Sequence, residues 1–534
     1  MVYTIELTVA LLAVVAVVAF AAGRLNVPAA ILLVIAGVIL ALIPGLPAVQ
    51  LAPELVLLVV LPPFIYSSAV AVSWREFHFN LRPIALLAVG AVVFTTLAAA
   101  AATHWLLRFP WPIAFVVGAI VSPPDAVAPL SIARRMGLPR RLLVVLEGEG
   151  LANDATALVL YRFAVGAVMF GVFSAGEAIG TFGAIVVGEI LWGMAVGWTM
   201  LRLRRFVGDP RIEITLALLT PYATYWPPEW LGGSGVLATV AAGLYISWNG
   251  SKLISAATRL QGIFFWDLYI YWLEGLVFLV TGLQARALAD GLHAHSWREL
   301  AVSGLVVCGA IILARFVWVF PGVYLPRWLS PTLARRDPPP PWQHPFVLAF
   351  TGVRGIVSLA AALAIPFATT SGMPFPERDM ILFLTFVVIL VTLVGQGLML
   401  PTVIRWLGLA NAGAREHTAD RVAEFTVRRR AIEASLARLD EIERERGFDG
   451  AVLARLRSAY EERLGRVAHR SADNEAHRTA QELHDRIEFE LIEAERQRVN
   501  ELYRGGEISD EARRRIEREL DLREAQLVSV RGGE

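Results

Sequence analysis

Apolar stretches long enough to cross a membrane recur through the first 410 residues and alternate with short polar segments. Since about 20 apolar residues span a bilayer as a helix, the pattern predicts about 13 transmembrane helices. Their ranges are 5–22, 27–44, 53–72, 84–106, 111–131, 142–171, 177–201, 212–226, 234–248, 260–285, 300–322, 345–367 and 380–407. We therefore expect an all-α, polytopic membrane protein, in contact with membrane lipids.

The polar pattern changes after residue 410. Residues 411–534 contain 24 arginines and 28 acidic residues, and apolar positions such as Ile432, Leu436 and Leu439 keep helical spacing. We expect a transmembrane domain at 1–410 and a solvated helical tail at 411–534. The tail is expected to pack on itself or on a second copy, and a regulatory role is the alternative. Its net negative charge argues against nucleic acid as a partner.

The loops between the predicted spans differ in positive charge. Alternate loops together carry sixteen basic residues: Arg24, Arg75, Arg82, Arg134, Arg135, Arg140, Arg141, Arg202, Arg204, Arg205, Arg211, Lys252, Arg259, Arg327, Arg335 and Arg336. The opposite loops carry four: Arg108, Arg286, Arg298 and Arg378. Because cytoplasmic loops are enriched in Lys and Arg, the odd span count places the N-terminus outside and the tail in the cytoplasm. The expected location is the bacterial cytoplasmic membrane.

Several charged residues lie inside the apolar spans. The acids are Asp125, Glu149, Asp154, Glu189 and Glu274, with Asp267 less deep, and the bases are Arg162, Arg315 and Arg354. A charge in mid-membrane costs about 2.5–3.5 kcal/mol, so such residues usually mark an ion or proton pathway. No histidine lies in the middle of a span. Carboxylates are therefore the groups that we expect to handle protons.

Two spans are interrupted near their centres. Ser122-Pro123-Pro124-Asp125 breaks the fifth span, and Thr351–Gly355 breaks the twelfth. The two spans run in opposite directions, which is typical of an inverted-repeat transporter whose site lies where the broken helices cross. Asp125 would neutralise the N-terminal ends of the half-helices and Arg354 the C-terminal ends. For Asp125, a direct role in ion binding stays open.

The sixth span carries the segment EGEGLANDATAL at 147–158. Helical spacing places Glu147, Gly150 and Asp154 on one face and Glu149 on nearly the opposite one. Asp154 lies about 20 Å along the helix, near the membrane midplane, and Gly150 one turn below it leaves room for an ion or water. Glu149 needs a buried partner, and Arg354 is the expected one, in a structural ion pair.

Asp154 has the chemistry that an exchanger needs. Burial disfavours a bare carboxylate, and either a proton or a hard cation such as Na⁺ can neutralise it. Exclusion of one by the other couples two opposite flows without a cofactor, and the sequence has no GxxxxGK[ST] phosphate loop. The main hypothesis is thus a secondary antiporter rather than an enzyme. A cation channel and a transporter-like sensor that signals through the tail are the alternatives.

Together these motifs resemble the bacterial monovalent cation:proton antiporters related to the animal sodium/proton exchangers. The resemblance covers most of residues 1–410. It is carried by Leu61-Pro62-Pro63, the interruption at Asp125, Asn153-Asp154, Arg315 and Gly352-Val353-Arg354-Gly355.

The resemblance implies an inverted-repeat fold with two crossed broken helices and a homodimer. A mobile core around spans 4–6 and 11–13 would move against a dimerisation part around spans 1–3 and 7–10. It makes Asp154 the coupling residue, Asn153 its supporting neighbour and Asp125 a second cation ligand or a helix-end charge. It implies that Glu149 and Arg354 form the core ion pair. An Asn-Asp pair is associated with electroneutral one-for-one exchange.

Three positions depart from the family pattern. Relatives often have a hydroxyl residue where this chain has Pro124, Ser or Thr where it has Gly150, and an acid near the position of Ser67. Backbone carbonyls or water would then complete the cation's coordination. The candidates to line the pathway are Ser122, Pro124, Gly150, Glu147 and Ser67. The choice among Na⁺, K⁺ and Li⁺ stays open.

Overall fold

The computed structural model describes residues 2–25, 27–44, 52–170, 175–250, 253–290, 296–370, 372–446, 450–471, 475–504, 507–508 and 510–531. The chain divides into two compact units, Met1–Ala414 and Arg415–Glu534. Each unit is described by itself below.

Helices α1 to α17 lie in the first unit, and α18 begins there. Their bounds are α1 Val2–Leu25, α2 Ala29–Ala41, α3 Pro53–Ala71, α4 Trp74–Phe79, α5 Leu81–Leu107, α6 Trp111–Val121, α7 Val127–Arg135, α8 Arg140–Phe170, α9 Ala175–Arg204, α10 Pro210–Trp230, α11 Val236–Asn249, α12 Ala256–Asp290, α13 Trp297–Leu329, α14 Pro331–Arg336, α15 Gln343–Phe350, α16 Ile356–Leu363, α17 Arg378–Trp406 and α18 Leu409–Arg446. Short π-helical turns interrupt α3, α5 and α17.

Every apolar segment that the sequence pattern selects falls on a helix, and the two interrupted segments fall on the pairs α6–α7 and α15–α16. Within the described ranges, eight helices are long and apolar enough to cross a membrane individually. The helical, polytopic architecture is therefore confirmed. The total of 13 crossings stays a prediction, because several of the other helices are too short to span by themselves.

Close backbone contact between α2 and α12 fixes one wall of the first unit. A Cβ atom on Gly37 would lie 2.2 Å from the carbonyl oxygen of Leu279, and one on Gly282 would lie 2.3 Å from that of Val34. Membrane helices use small residues in this way, because the packing of backbone on backbone replaces the hydrophobic drive that lipid does not supply. This contact holds α12, which also borders the cavity described below.

Three arginines from the arginine-rich loops converge on Asp337, which follows α14. The side chains of Arg82, Arg141 and Arg327 each place a nitrogen 2.8–2.9 Å from its carboxylate oxygens. Burial works against ionisation of Asp337, but the hydrogen bond and charge of Arg141, followed by the charges of Arg327 and Arg82, lower its pKa below the ordinary value. The ionised carboxylate thus ties together the ends of α5, α8 and α13.

The second unit is entirely helical in its described residues. It contains most of α18 and the helices α19 Gly450–Ser471, α20 Glu475–Arg504 and α21 Asp510–Arg531. Helix α20 packs along α21, where Ile492 and Leu520 are buried and Arg496 pairs with Asp521 at 3.0 Å. A helical tail with apolar positions at helical spacing is what the sequence predicts.

Candidate functional site

The two helix interruptions meet inside the first unit. Residues 122–126 separate α6 from α7, and residues 351–355 separate α15 from α16. The backbone N–H of Asp125 donates to the carbonyl oxygen of Val353 at 2.7 Å. The carboxylate of Asp125 accepts a hydrogen bond from the N–H of Val127 at 2.8 Å, and its other oxygen lies against the Cα atom of Gly355. Asp125 therefore stands at the N-terminal ends of α7 and α16, where helix dipoles favour negative charge.

Arg354 contacts the C-terminal ends of the interrupted helices. It is almost fully buried and donates from Nε to the carbonyl oxygen of Val121 at 2.9 Å, from Nη2 to that of Ser122 at 3.4 Å, and from Nη1 to that of Gly352. Its own N–H donates to Thr392 Oγ1 at 2.9 Å. The guanidinium thus satisfies carbonyl groups at the C-terminal end of α6, as its expected helix-end role requires.

Glu149 pairs with Arg315 rather than with Arg354, so the ion pair predicted from the sequence is wrong. Its two carboxylate oxygens accept hydrogen bonds from Arg315 Nη1 and Nη2 at 2.6 and 2.9 Å, and both side chains are about 2% exposed. Arg354 lies close enough for an electrostatic interaction with Glu149, but its Nε, Nη1 and Nη2 atoms donate to backbone carbonyls. Arg315 on α13 can instead offer the parallel fork that matches a carboxylate.

One face of α8 borders a large cavity. Asp154, Gly150 and Glu147 all line this space of about 900 Å³, whereas Glu149 points away from it, as helical spacing predicts. Gly150 does not leave room for an ion, because a Cβ atom there would lie 2.6 Å from the Cβ of Ala126. That expectation is corrected: the glycine lets α8 approach the first interruption, and the cavity itself supplies the room.

Asp154 faces the cavity without a protein partner. In the part of the chain that the structure describes, no hydrogen bond or ion pair reaches its carboxylate, although Asp125 is near enough for an electrostatic interaction. Asn153 is fully buried beside it, and its Nδ2 donates to the carbonyl oxygen of Pro124 while its Oδ1 has no partner. The helix that carries Asp154 is thus pinned to the first interruption, and the carboxylate is left free to bind something that enters the cavity.

The remaining candidates divide between the cavity and the helix interior. Ser67 and Pro124 line the cavity, and Glu147 does so while it pairs with Arg134 at 2.6 Å. Ser122 does not line it, because its hydroxyl turns back to donate to the carbonyl oxygen of Ala119 at 3.1 Å. Ser122 therefore belongs to the support of the interruption rather than to the pathway.

Among the described residues, the lining of the cavity extends from Asp154 toward one end of the first unit. Its lining includes Arg134, Arg204 and Arg259, which belong to the arginine-rich set of loops. Toward the other end, buried Tyr225 and the ion pair between Arg162 on α8 and Glu229 on α10 lie beyond Asp154. An ion could therefore approach Asp154 from the arginine-rich side in this conformation.

Glu189, another acid predicted at membrane depth, has a structural role. Its oxygens accept hydrogen bonds from the N–H groups of Gly235 and Leu237, both at 3.0 Å, and from both the N–H and the hydroxyl of Ser234. It therefore satisfies the free donors at the N-terminus of α11. Among the described residues, no trio of acid, histidine or cysteine side chains could hold a resident metal ion.

Comparison with known proteins identifies the family. The model of the transmembrane sodium/hydrogen exchangers matches residues 9–406, which is most of the chain. The chain belongs to the sodium/hydrogen exchanger family. A Mycobacterium tuberculosis protein named as an uncharacterized Na⁺/H⁺ exchanger is 35% identical over 99% of this chain and 97% of its own length. The resemblance read from the motifs is confirmed, and family members of this kind are transporters rather than enzymes.

Two further relatives of this exchanger carry more specific names. The sodium, potassium, lithium and rubidium/H⁺ antiporter of Bacillus subtilis is 33% identical over 70% of this chain and 57% of its own length. The Na⁺/H⁺ antiporter of Aphanothece halophytica is 32% identical over 78% of this chain and 76% of its own. A solved sodium/proton antiporter of Methanocaldococcus jannaschii superposes with a TM-score of 0.62 at 19% identity, covering 77% of this chain and 99% of that one. The exchanger therefore shares the antiporter fold.

Gly355 is predicted to be required for the geometry around Asp125. A Cβ atom at this position would lie 1.7 Å from Asp125 Oδ2, so Gly355→Ala must displace the carboxylate. Overpacking of this kind costs about 1–3 kcal/mol, and we expect the initial rate of cation-driven proton movement in vesicles to fall about tenfold. Gly309→Ala on α13 is the matched control, because its Cβ would meet nothing within 4 Å. A wild-type rate for Gly355→Ala would contradict the crossing geometry.

Proposed function

We propose that this exchanger is a secondary antiporter that moves Na⁺ against H⁺ across the bacterial cytoplasmic membrane. K⁺ and Li⁺ are the alternative cargoes, since the Bacillus subtilis relative is named for several monovalent cations. Cation and proton compete for Asp154, and the exchange is electroneutral, one for one. No cofactor takes part.

The observation that carries the proposal is the Asp154 carboxylate in the cavity, beside the meeting point of the two interruptions and without a hydrogen bond or ion pair in the described part of the chain. An ionised carboxylate at membrane depth is costly unless it binds a proton or a cation. The cation and the proton neutralise the same carboxylate charge, so binding of one disfavours binding of the other. Asp125, which lines the same cavity and interacts electrostatically with Asp154, is the candidate to add an oxygen ligand for a hard cation, whereas buried Asn153 supports the helix through its hydrogen bond to Pro124.

The membrane arrangement follows from charge. The arginine-rich loops lie in the cytoplasm, so the cavity is the cytoplasmic access route, the N-terminus is outside and the tail is inside. We further propose a homodimer joined through spans 1–3 and 7–10. The core with α5–α8 and α13–α17 then moves relative to that part to expose Asp154 on the other side.

The test uses the full chain in proteoliposomes with an imposed ΔpH and a pH-sensitive dye. Added Na⁺ should dissipate the ΔpH, with K⁺ and Li⁺ compared in parallel. Raising the proton concentration on the cation side should raise the apparent KM for Na⁺ without changing the maximal rate, because the two ions compete at one carboxylate. The rate at fixed Na⁺ should therefore be bell-shaped in pH.

Clamping the membrane potential with K⁺ and valinomycin tests the stoichiometry. Electroneutral exchange predicts the same Na⁺-driven rate at every imposed potential. A Na⁺ current without proton movement would indicate a channel, and the absence of both flows would indicate a sensor; either result would refute the proposal. Proton inhibition that lowers the maximal rate but leaves KM unchanged would contradict competition at Asp154.

A further inference from the structure

Glu274 is a carboxylate near the middle of α12 that the proposed exchange cycle does not use. It lines the same cavity as Asp125 and Asp154, and seven residues earlier Asp267 lines the cavity from the same helix. In the described part of the chain, no hydrogen bond or ion pair reaches the carboxylate of Glu274. A charge at this depth with no protein partner calls for a functional explanation.

Other acids at this depth have partners that account for their charge. Glu149 is held by Arg315, and Glu189 by the N-terminal N–H groups of α11. Glu274 shares with Asp154 its position on the cavity wall, and neither carboxylate has a hydrogen bond or ion pair among the residues that the structure describes. Helix α12 also packs against α2 through Gly282, and Glu274 lines the cavity together with Asp125 and Gly355 of the two interruptions.

Glu274 interacts electrostatically with Asp125, but among the described residues no three acids are placed to hold one metal ion together. We therefore assign Glu274 a role other than joining Asp125 and Asp154 in a three-acid site. A negative charge on the low-dielectric wall of a cavity instead raises the local concentration of cations and draws them inward.

We propose that Glu274 is a positioning residue that captures the hydrated monovalent cation in the cavity and directs it to Asp154. The inference rests on the proposed function. In this role Glu274 increases the affinity for cations that enter from the arginine-rich side, and it takes no part in coupling the cation to the proton. Removing the charge should weaken cation capture without changing the step at Asp154.

The experiment measures the Na⁺ dependence of ΔpH dissipation by the full chain in proteoliposomes. Glu274→Gln should raise the apparent KM for Na⁺ about tenfold, the size expected for losing one nearby charge, with the maximal rate nearly unchanged. Glu274→Asp keeps the charge and should restore most of the affinity. Asp267→Asn is the matched control, since this exposed acid also lines the cavity and lies two turns away on the same helix. The apparent KM for Na⁺ should change much less in this variant.

The outcomes separate this inference from the proposed function. If the wild type exchanges Na⁺ for protons but Glu274→Gln keeps the wild-type KM, only the inference on Glu274 fails. If the wild type shows no exchange, the proposed function fails as well. Glu274→Met provides a second neutral variant, because removing a charge from a membrane helix favours insertion. Loss of folded protein in both neutral variants would overturn the inference, since it would show that the carboxylate holds the fold.

Discussion

Asp154→Asn is expected to abolish cation-driven proton movement, reducing the rate in proteoliposomes to that of protein-free vesicles. Asparagine keeps the size of the side chain, but its amide neither takes up a proton near neutral pH nor offers a negative charge to Na⁺. Since no hydrogen bond or ion pair to the Asp154 carboxylate occurs among the described residues, the fold should not depend on it. Thermal stability in detergent should therefore equal or exceed that of the wild type, because an uncompensated carboxylate is removed.

Asp379→Asn is the matched control for this prediction. Asp379 is exposed in the first turn of α17 and does not line the cavity. Its amide variant should keep the exchange rate to within about twofold, as surface substitutions usually do. Exchange that persists in Asp154→Asn would place the coupling group elsewhere. A large loss of stability in that variant would show that the carboxylate has a structural partner.

The helices and their interruptions could be predicted because each has a local cause in the sequence. Apolar length marks a membrane helix wherever the lipid or the protein interior surrounds it. Pro123 and Pro124 remove backbone donors, and Gly352 and Gly355 weaken the second helix at matching depth. Helical spacing also placed Asp154 and Glu147 on one face and Glu149 on the other, as the cavity lining shows.

The partner of Glu149 could not be predicted in the same way. Three arginines lie at membrane depth, Arg162 on α8, Arg315 on α13 and Arg354 in the second interruption. Spacing within α8 does not report which other segment Glu149 faces. In the structure, Arg354 donates to the carbonyl groups of Val121 and Gly352, and Arg315 is the arginine that reaches the Glu149 carboxylate. The carbonyl groups that accept from Arg354 come together only where the two interruptions cross.

Gly150 illustrates a second limit. A glycine beside an acid can leave space for an ion or allow another segment to approach, and the sequence is the same in both cases. Only the position of Ala126 decides between them. Likewise, Glu274 is visible in the sequence as a charge at membrane depth, but its place on the cavity wall depends on the packing of α12 against α2.

Breaking the buried ion pair between Glu149 and Arg315 is expected to destabilise the exchanger strongly. Glu149→Gln should lower the free energy of unfolding by about 3–5 kcal/mol, the usual result of leaving a buried charge without its partner. The loss should exceed that of Arg315→Met, because Glu149 is the acid that faces both Arg315 and Arg354. Removing it leaves two buried cations, whereas removing Arg315 leaves one cation near one anion. The midpoint of thermal unfolding in detergent measures both variants.

The double variant Glu149→Leu, Arg315→Met tests whether the fold needs the ion pair itself, or whether each buried charge only needs the other to neutralise it. Since apolar residues can replace a buried pair at little cost, it should unfold at a higher temperature than Glu149→Gln. Glu229→Gln is the matched control, because it breaks a pair whose members, Arg162 and Glu229, are 35% and 22% exposed. That change should cost about 1 kcal/mol or less. Equal losses in Glu149→Gln and Glu229→Gln would show that burial does not govern the cost, and would count against a structural role for the pair.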